Sequence, residues 1–304
     1  MVVPGRRAGG RENRGSVLNT PSPSTPGPST DPGRQPTPQA VLLTMLGRYC
    51  IEENPAISTA GYIDVLGRID VSPHATRLTV SRMTERNLLE RSRKGKAAYF
   101  RATAVALGVV RVQDERTFHD PGESPSPEGL WTILSFSLPE THRKERHLLR
   151  RRLAWEGFGL LRDGVWIAPG DHDLTEILDQ LPRAGVDQHV EAFRAYPKFA
   201  DVQGMISRTW ELDQLKERYE QFLREWTAPA PAPAAADDLG RDLLLISAWR
   251  QLLRETPRLP AVHLPEDWPA ERCLDLFRTL HAEYQPEADQ LFAGVLEKNR
   301  WPIE

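Results

Sequence analysis

From Ile69 to Thr103 the chain reads IDVSPHATRLTVSRMTERNLLERSRKGKAAYFRAT, a helix followed at once by a basic hairpin. Ser72 is a good helix N-cap, Pro73 suits the first helical position, and Asn87 can take the left-handed conformation that closes a helix. The spacing therefore predicts a helix over about 73–86. On a helical period Thr76, Thr79, Val80 and Met83 share one face. His74, Leu78, Ser81 and Glu85 lie opposite, flanked by Arg77 and Arg82, so the outer face is polar and arginine-edged. Residues 88–93 then read as a strand, Lys94-Gly95-Lys96 as a glycine turn, and Ala97 to Arg101 as the returning strand. A capped helix followed by a basic hairpin is the sequence form of a winged helix-turn-helix.

Charge sharpens this reading. Between residues 71 and 101 stand eight basic residues, Arg77, Arg82, Arg86, Arg91, Arg93, Lys94, Lys96 and Arg101, against only Glu85 and Glu90. The whole chain carries a net charge of −3, so the rest of it offsets this local excess. One concentrated basic element in a mildly acidic protein is a local nucleic-acid footprint, whereas a general polyanion binder would be basic throughout. On the helix, Arg77, Ser81 and Arg82 are placed to reach base edges, with His74 and Arg86 beside them. Arg91, Arg93, Lys94 and Lys96 on the hairpin are placed for phosphate or the minor groove. Leu78 reads either as a contact to a thymine methyl or as packing on a neighbouring side chain.

With 304 residues, 39% hydrophobic and 27% charged, the chain is long enough for two or three domains of a soluble globular protein. No apolar run reaches the length of a membrane span. Arg6-Arg7 near the start is followed by glycine, charge and proline rather than an apolar stretch, so a cytoplasmic location is expected. Cys50 and Cys273 are far apart and read as packed thiols, not as a disulfide scaffold or metal site.

Residues 1–36 are rich in Pro, Ser, Gly and Thr and read as a disordered tail, which either assists DNA binding through its arginines or is a dispensable extension. Residues 37–118 are expected to form the winged helix-turn-helix, with helices near Val41–Leu46, at Thr59–Ile69, at the basic segment and at about 103–116. A linker follows at His119–Gly129. Over 128–202 the order strand, helix, hairpin, helix, strand is the ferredoxin-like βαββαβ pattern. Its hairpin turns at Asp163-Gly164, and Asp173 and Glu176 are spaced as a capping box for a helix to Ala184. Residues 203–304 are expected to form a helical domain whose helices begin at Thr209, interrupted by the linker APAPAPAAA and by proline-bounded turns, with separate helices at Ala270–Tyr284 and Pro286–Asn299. The expected class is thus α+β and multidomain, and this last region is the expected dimerisation domain.

A further cationic run, Arg143, Lys144, Arg146, Arg150, Arg151 and Arg152, surrounds an apolar stripe with Leu149 and Leu153. With Trp155, Phe158 and Trp166 nearby it is a candidate site for a phosphate-bearing ligand; a solvated or salt-bridged face is the plainer account of the cations, and core packing that of the three aromatics. Asp171-His172-Asp173 looks like a ligand cluster, but adjacent side chains diverge and the capping role of Asp173 explains them better than a metal. A nuclease on the central fold would want a carboxylate ending its first strand, where only Glu140 stands, and no hydrolase, P-loop, zincin or dinucleotide motif is present. No catalytic residue, metal or cofactor is therefore expected, and the chain is not expected to be an enzyme.

Four stretches in order, AVLLTMLGRYC, ATRLTVSRMTERNLLERSRKGKAAYF, GLWTILSFSLPETHRKERHLLRRRLAWEGFGLLRDGVWIAP and AWRQLLRETPRLPAVHLPEDWP, resemble the PaaX family of bacterial transcriptional regulators over about residues 38–298. The chain departs from the family pattern at Asn87, where glycine is common, and at Phe100-Arg101-Ala102. The resemblance implies a homodimeric repressor of a catabolic operon. Its parts would be an N-terminal winged helix, a central domain similar in fold to a CRISPR adaptation nuclease and a C-terminal helical domain. Release of its double-stranded DNA operator by an aromatic acyl-CoA effector such as phenylacetyl-CoA is also implied, which would make 203–304 the effector as well as the dimerisation domain and give Arg150, Arg151, Trp155, Phe158 and Trp166 a candidate role in holding its phosphates and acyl group. The alternative is a nucleic-acid enzyme, or a subunit of one, built on the central fold.

Overall fold

A computed structural model describes residues 36–118, 129–179, 187–198, 201–227, 234–257 and 259–301. Nearly all of the expected tail, the linker from His119, the end of the expected helix at Ala184 and most of APAPAPAAA lie outside the described residues. The fold is α+β, with helices around two small antiparallel sheets.

The first sheet and its helices come from 37–118. Helix α1 (Pro38–Tyr49) is capped by Thr37, whose hydroxyl accepts from the Ala40 N–H, and short strand β1 (Ile57–Ser58) leads into α2 (Thr59–Gly67). Helix α3 (Pro73–Glu85) starts as the sequence predicts: Ser72 accepts from the Ala75 N–H, and Thr76, Val80 and Met83 are its buried face. Asn87 follows at φ 56°, the left-handed position that ends the helix. Strands β2 (Leu89–Lys94) and β3 (Ala97–Ala102) pair from Leu89↔Ala102 to Lys94↔Ala97, leaving Gly95-Lys96 as a two-residue loop. Gly95 has φ 61°, which its missing Cβ permits without strain. The sheet order is β1-β3-β2, and α4 (Ala104–Phe118) follows it.

The second sheet has the order β5-β6-β4-β7, built from β4 (Trp131–Phe136), β5 (Gly159–Arg162), β6 (Val165–Pro169) and β7 (Val190–Ala195). Helix α5 (Arg143–Trp155) and the short α6 (Thr175–Asp179) connect them. Leu149 and Leu153 on α5 pack with Leu134, Phe136, Phe158 and Trp166 on one face of the sheet. The other face, through Trp131 and Ile167, packs against Ile206 of α7 (Val202–Thr209), Trp210 and Leu215. Asp173 accepts from the Thr175 N–H and hydroxyl, a bond two residues on rather than the three a capping box uses.

The last three helices are α8 (Leu212–Thr227), α9 (Asp238–Glu255) and α10 (Ala270–Asn299). The expected break at Pro286 does not occur: α10 runs through it. Proline forfeits one backbone hydrogen bond, and apolar burial on both sides of it, at Phe277, Tyr284, Ala288 and Phe292, holds the helix together. These helices share one core with the first sheet's helices, since Trp249 and Phe277 belong to the same buried cluster as Leu42, Tyr62, Met83 and Phe100. Polar pairs cross the same junction, with Ser247 donating to Thr44 at 2.9 Å and Arg250 held by Asp114 at 2.9 Å and Thr117 at 3.0 Å. Cys50 and Cys273 are free and buried, and burial pushes both thiols up to about 12, which leaves them protonated and inert.

Candidate nucleic-acid interface

Helix α3 buries Thr76, Val80 and Met83, and that fixes what it shows to solvent. His74, Arg77, Leu78, Ser81, Arg82 and Arg86 are all exposed, Leu78 by 44%. The ten candidate contact residues of the sequence fall on α3, on the residue that caps it, and on the adjoining hairpin. Two of them are engaged on the helix side: Ser81 donates to Glu85 at 3.1 Å, and Arg86 donates to the Gln39 side chain at 3.1 Å. Among the described residues Arg77, Arg82, Arg91, Arg93 and Lys96 have no carboxylate partner, whereas Arg101 is paired with Glu90.

Strand register divides the hairpin cations between two faces. Opposed residues share a face, so Arg91 and Arg93 lie with Phe100, Ala98 and the buried Leu89, on the side that packs toward the core. Arg91 stands 6.0 Å over the Phe100 ring. Lys94 lies on the opposite face with Ser92 and Tyr99, and its ammonium sits 5.8 Å over the Trp301 ring. Sequence alone groups Arg91, Arg93, Lys94 and Lys96 as one set; alternation separates Lys94 from the two arginines. Tyr99 and Trp301 meet beside Lys94, and in the sequence their only signal is the strand alternation at Tyr99. The base of the hairpin is tied down by Asn54, at φ 44°, whose amide donates to the Ala102 carbonyl at 2.9 Å and accepts from the Ala102 N–H at 3.0 Å.

The second candidate set is dispersed. Phe158 and Trp166 are buried beneath α5, 3% and 1% exposed, while Arg151 is exposed and Arg150 pairs with Asp163 at 3.0 Å. The Trp155 side chain lies outside the described residues. A cleft of about 530 Å³ opens elsewhere on the same sheet, lined by Thr132, Asp171, His172, Leu174, Phe193 and Arg194. Its polar groups are engaged with one another: Arg194 pairs with Asp171 at 2.6 Å, and His172 Nε2 lies 2.9 Å from the Pro169 carbonyl. Among the described residues no three His, Cys, Asp or Glu side chains are placed to share a metal ion. Glu140 is exposed and takes Arg146 at 3.0 Å. No described helix is long and apolar enough to cross a membrane.

Residues 37–106 match the family described as PaaX-like protein, residues 124–205 the PaaX protein central Cas2-like domain, and residues 210–294 the PaaX-like protein C-terminal domain. The chain belongs to the PaaX family, whose members are generally transcriptional regulators of phenylacetic acid catabolism. No curated protein matches it closely. Among solved structures it is similar to an uncharacterized protein from Mycobacterium tuberculosis, at 23% identity and a TM-score of 0.57, over 82% of this chain and 96% of that one. At that identity the likeness speaks to fold alone.

Proposed function

We propose that the protein is a sequence-specific DNA-binding regulator in which α2, α3 and the β2–β3 hairpin act as a winged helix-turn-helix, α3 being the recognition helix and the hairpin the wing. The observation that carries this is the set of five exposed cations, Arg77, Arg82, Arg91, Arg93 and Lys96, which have no carboxylate partner among the described residues, on one helix and the hairpin beside it. A folded domain that needed these charges only for solubility would match them with acidic residues in comparable number, where this segment has only Glu85 and Glu90. Arg77 and Arg82 read base edges, with Leu78 free to touch a thymine methyl; Arg91, Arg93, Lys94 and Lys96 hold backbone.

The rest of the proposal leans on family membership. The central sheet order β5-β6-β4-β7, antiparallel throughout, supports a ferredoxin-like reading of 128–202. The chain acts as a cytoplasmic homodimeric repressor of a catabolic operon, with 203–304 as the dimerisation and effector region. One recognition helix reads too few bases for operator-level specificity, and a two-fold pair of half-sites supplies the rest. An aromatic acyl-CoA releases the operator by favouring a dimer geometry whose half-site spacing no longer fits. With Phe158 and Trp166 under α5, an acyl group reaches them only if α5 moves.

The test is fluorescence anisotropy with a duplex from upstream of the protein's own gene and a random duplex of equal length, with and without phenylacetyl-CoA. Specific binding should exceed random binding by about a thousandfold or more, and the thioester should lower it. Equal affinity for both duplexes defeats the regulator; an unmoved affinity at millimolar thioester defeats only the effector.

A further inference from the structure

We propose that the segment leaving α10, residues 299–301, is the strut that sets the hairpin for duplex contact, with Trp301 as its positioning residue. The proposal rests on the DNA-binding reading above. Backbone geometry brings the segment to the sheet: Arg300 forms an antiparallel bridge with Ile57, and the Trp301 N–H donates to the Ala56 carbonyl at 2.8 Å. The chain therefore adds one more paired position outside β1, on the edge away from β2. Side chains lock it there. Ser58 donates to Asn299 Oδ1 at 2.9 Å, and Arg300 pairs with Glu53 at 3.2 Å. At Gly61 a Cβ would stand 2.8 Å from the Asn299 Cβ and 2.6 Å from Ile57 Cγ2, so only glycine allows α10 to end this close to α2.

From that anchored backbone the Trp301 ring reaches across the solvent face of the sheet. It meets the Tyr99 ring edge-on at 5.0 Å, and the Lys94 ammonium lies over it. The hairpin tip needs such support, because Ala97 and Ala98 give it little side chain to pack and two strands alone are marginally stable in water. One face of the hairpin is fixed by Phe100 and Leu89 in the core; Trp301 fixes the other. The strut is rooted in the main core as well, since the last turns of α10 stack Phe292 on Tyr49 of α1 at 4.1 Å and place Asp289 3.3 Å from Arg48. A change in how α10 lies is thereby transmitted to the hairpin without passing through α3.

The experiment uses the full chain as wild type, Trp301→Ala, Trp301→Phe and Tyr99→Ala. Amide hydrogen exchange over β2 and β3 is read without DNA, and affinity for a fluorescein-labelled random duplex of about 25 base pairs is read over a salt series. Trp301→Ala should speed exchange at the tip about tenfold and weaken the duplex several-fold, with the melting temperature little changed. Tyr99→Ala should move both in the same direction, and Trp301→Phe should restore most of each. Unchanged exchange in both alanine variants overturns the proposal, as does faster exchange with duplex affinity intact. A wild type that binds no duplex at any salt defeats the DNA-binding reading instead, while the exchange data still uphold or overturn the support that Trp301 gives the hairpin.

Discussion

On α9 Arg250 is 4% exposed and donates to Asp114 and Thr117 of α4, whereas on α3 Arg82 stands in solvent with no carboxylate partner among the described residues. Burial pulls the Arg250 guanidinium down to about 10, and the carboxylate of Asp114 opposes that pull, keeping it charged at neutral pH. The same side chain serves opposite ends. Inside the core its Nε and Nη2 are taken by Thr117 and Asp114, and its fork geometry fixes how α9 lies against the helices of the first sheet. Outside, the cation is held ready on a face that the helix's own burial pattern has already chosen. Regions of the first kind account for stability, and regions of the second kind for affinity, so substitutions in the two should have effects that do not mix.

The largest effect belongs to the core. Asp114→Ala strands the buried guanidinium and should cost about 3 kcal/mol of unfolding free energy in denaturant titration, with the salt dependence of duplex binding unchanged. A loss below about 1 kcal/mol would mean water reaches Arg250 and the contrast is weaker than the burial implies. Next in size, Arg82→Ala should lose about 1–3 kcal/mol at the true operator and little on random duplex, with stability unmoved. Arg77→Ala should follow it, or fall between the two classes if that side chain holds phosphate. Equal losses on both duplexes for Arg82→Ala would withdraw α3 as the reader of bases. Lys96→Ala should weaken both duplexes alike and flatten the salt slope by about one. Smallest is Glu90→Ala, which frees the exposed Arg101: stability should shift by less than about 0.5 kcal/mol while the salt slope steepens slightly. A larger stability loss would move the Arg101–Glu90 pair into the structural class.

Local chemistry made α3 and its hairpin readable. The Ser72 cap, the buried 76, 80 and 83 face, the left-handed Asn87 and the Gly95 loop each depend on residues within a few positions of one another, and each stands where the spacing predicts. Shorter elements gave too little periodicity to read: two-residue β1, and eight-residue α7 with its glycine at 204, went unseen. By local rule Pro286 breaks a helix, and tertiary burial along α10 overrides it. The effector candidates illustrate the same limit from the other side. Arg150, Arg151, Phe158 and Trp166 are close in sequence, yet α5 and β6 send the arginines to the surface and the rings under the helix.

The sequence by itself determined the capped basic helix, the glycine-turned hairpin, the concentration of positive charge upon them and the membership of the PaaX family, because all of these are written in contiguous residues. Only the tertiary structure decided that α9 and α10 share a core with the first sheet's helices and that Trp301 returns from the far end of α10 to lie beneath Lys94. Those facts depend on contacts between residues more than two hundred positions apart, such as Ser58 with Asn299 and Thr44 with Ser247. Such contacts form because burying the apolar faces of α1, α2 and α10 together removes more surface from water than each could alone, and no local pattern records which faces will meet.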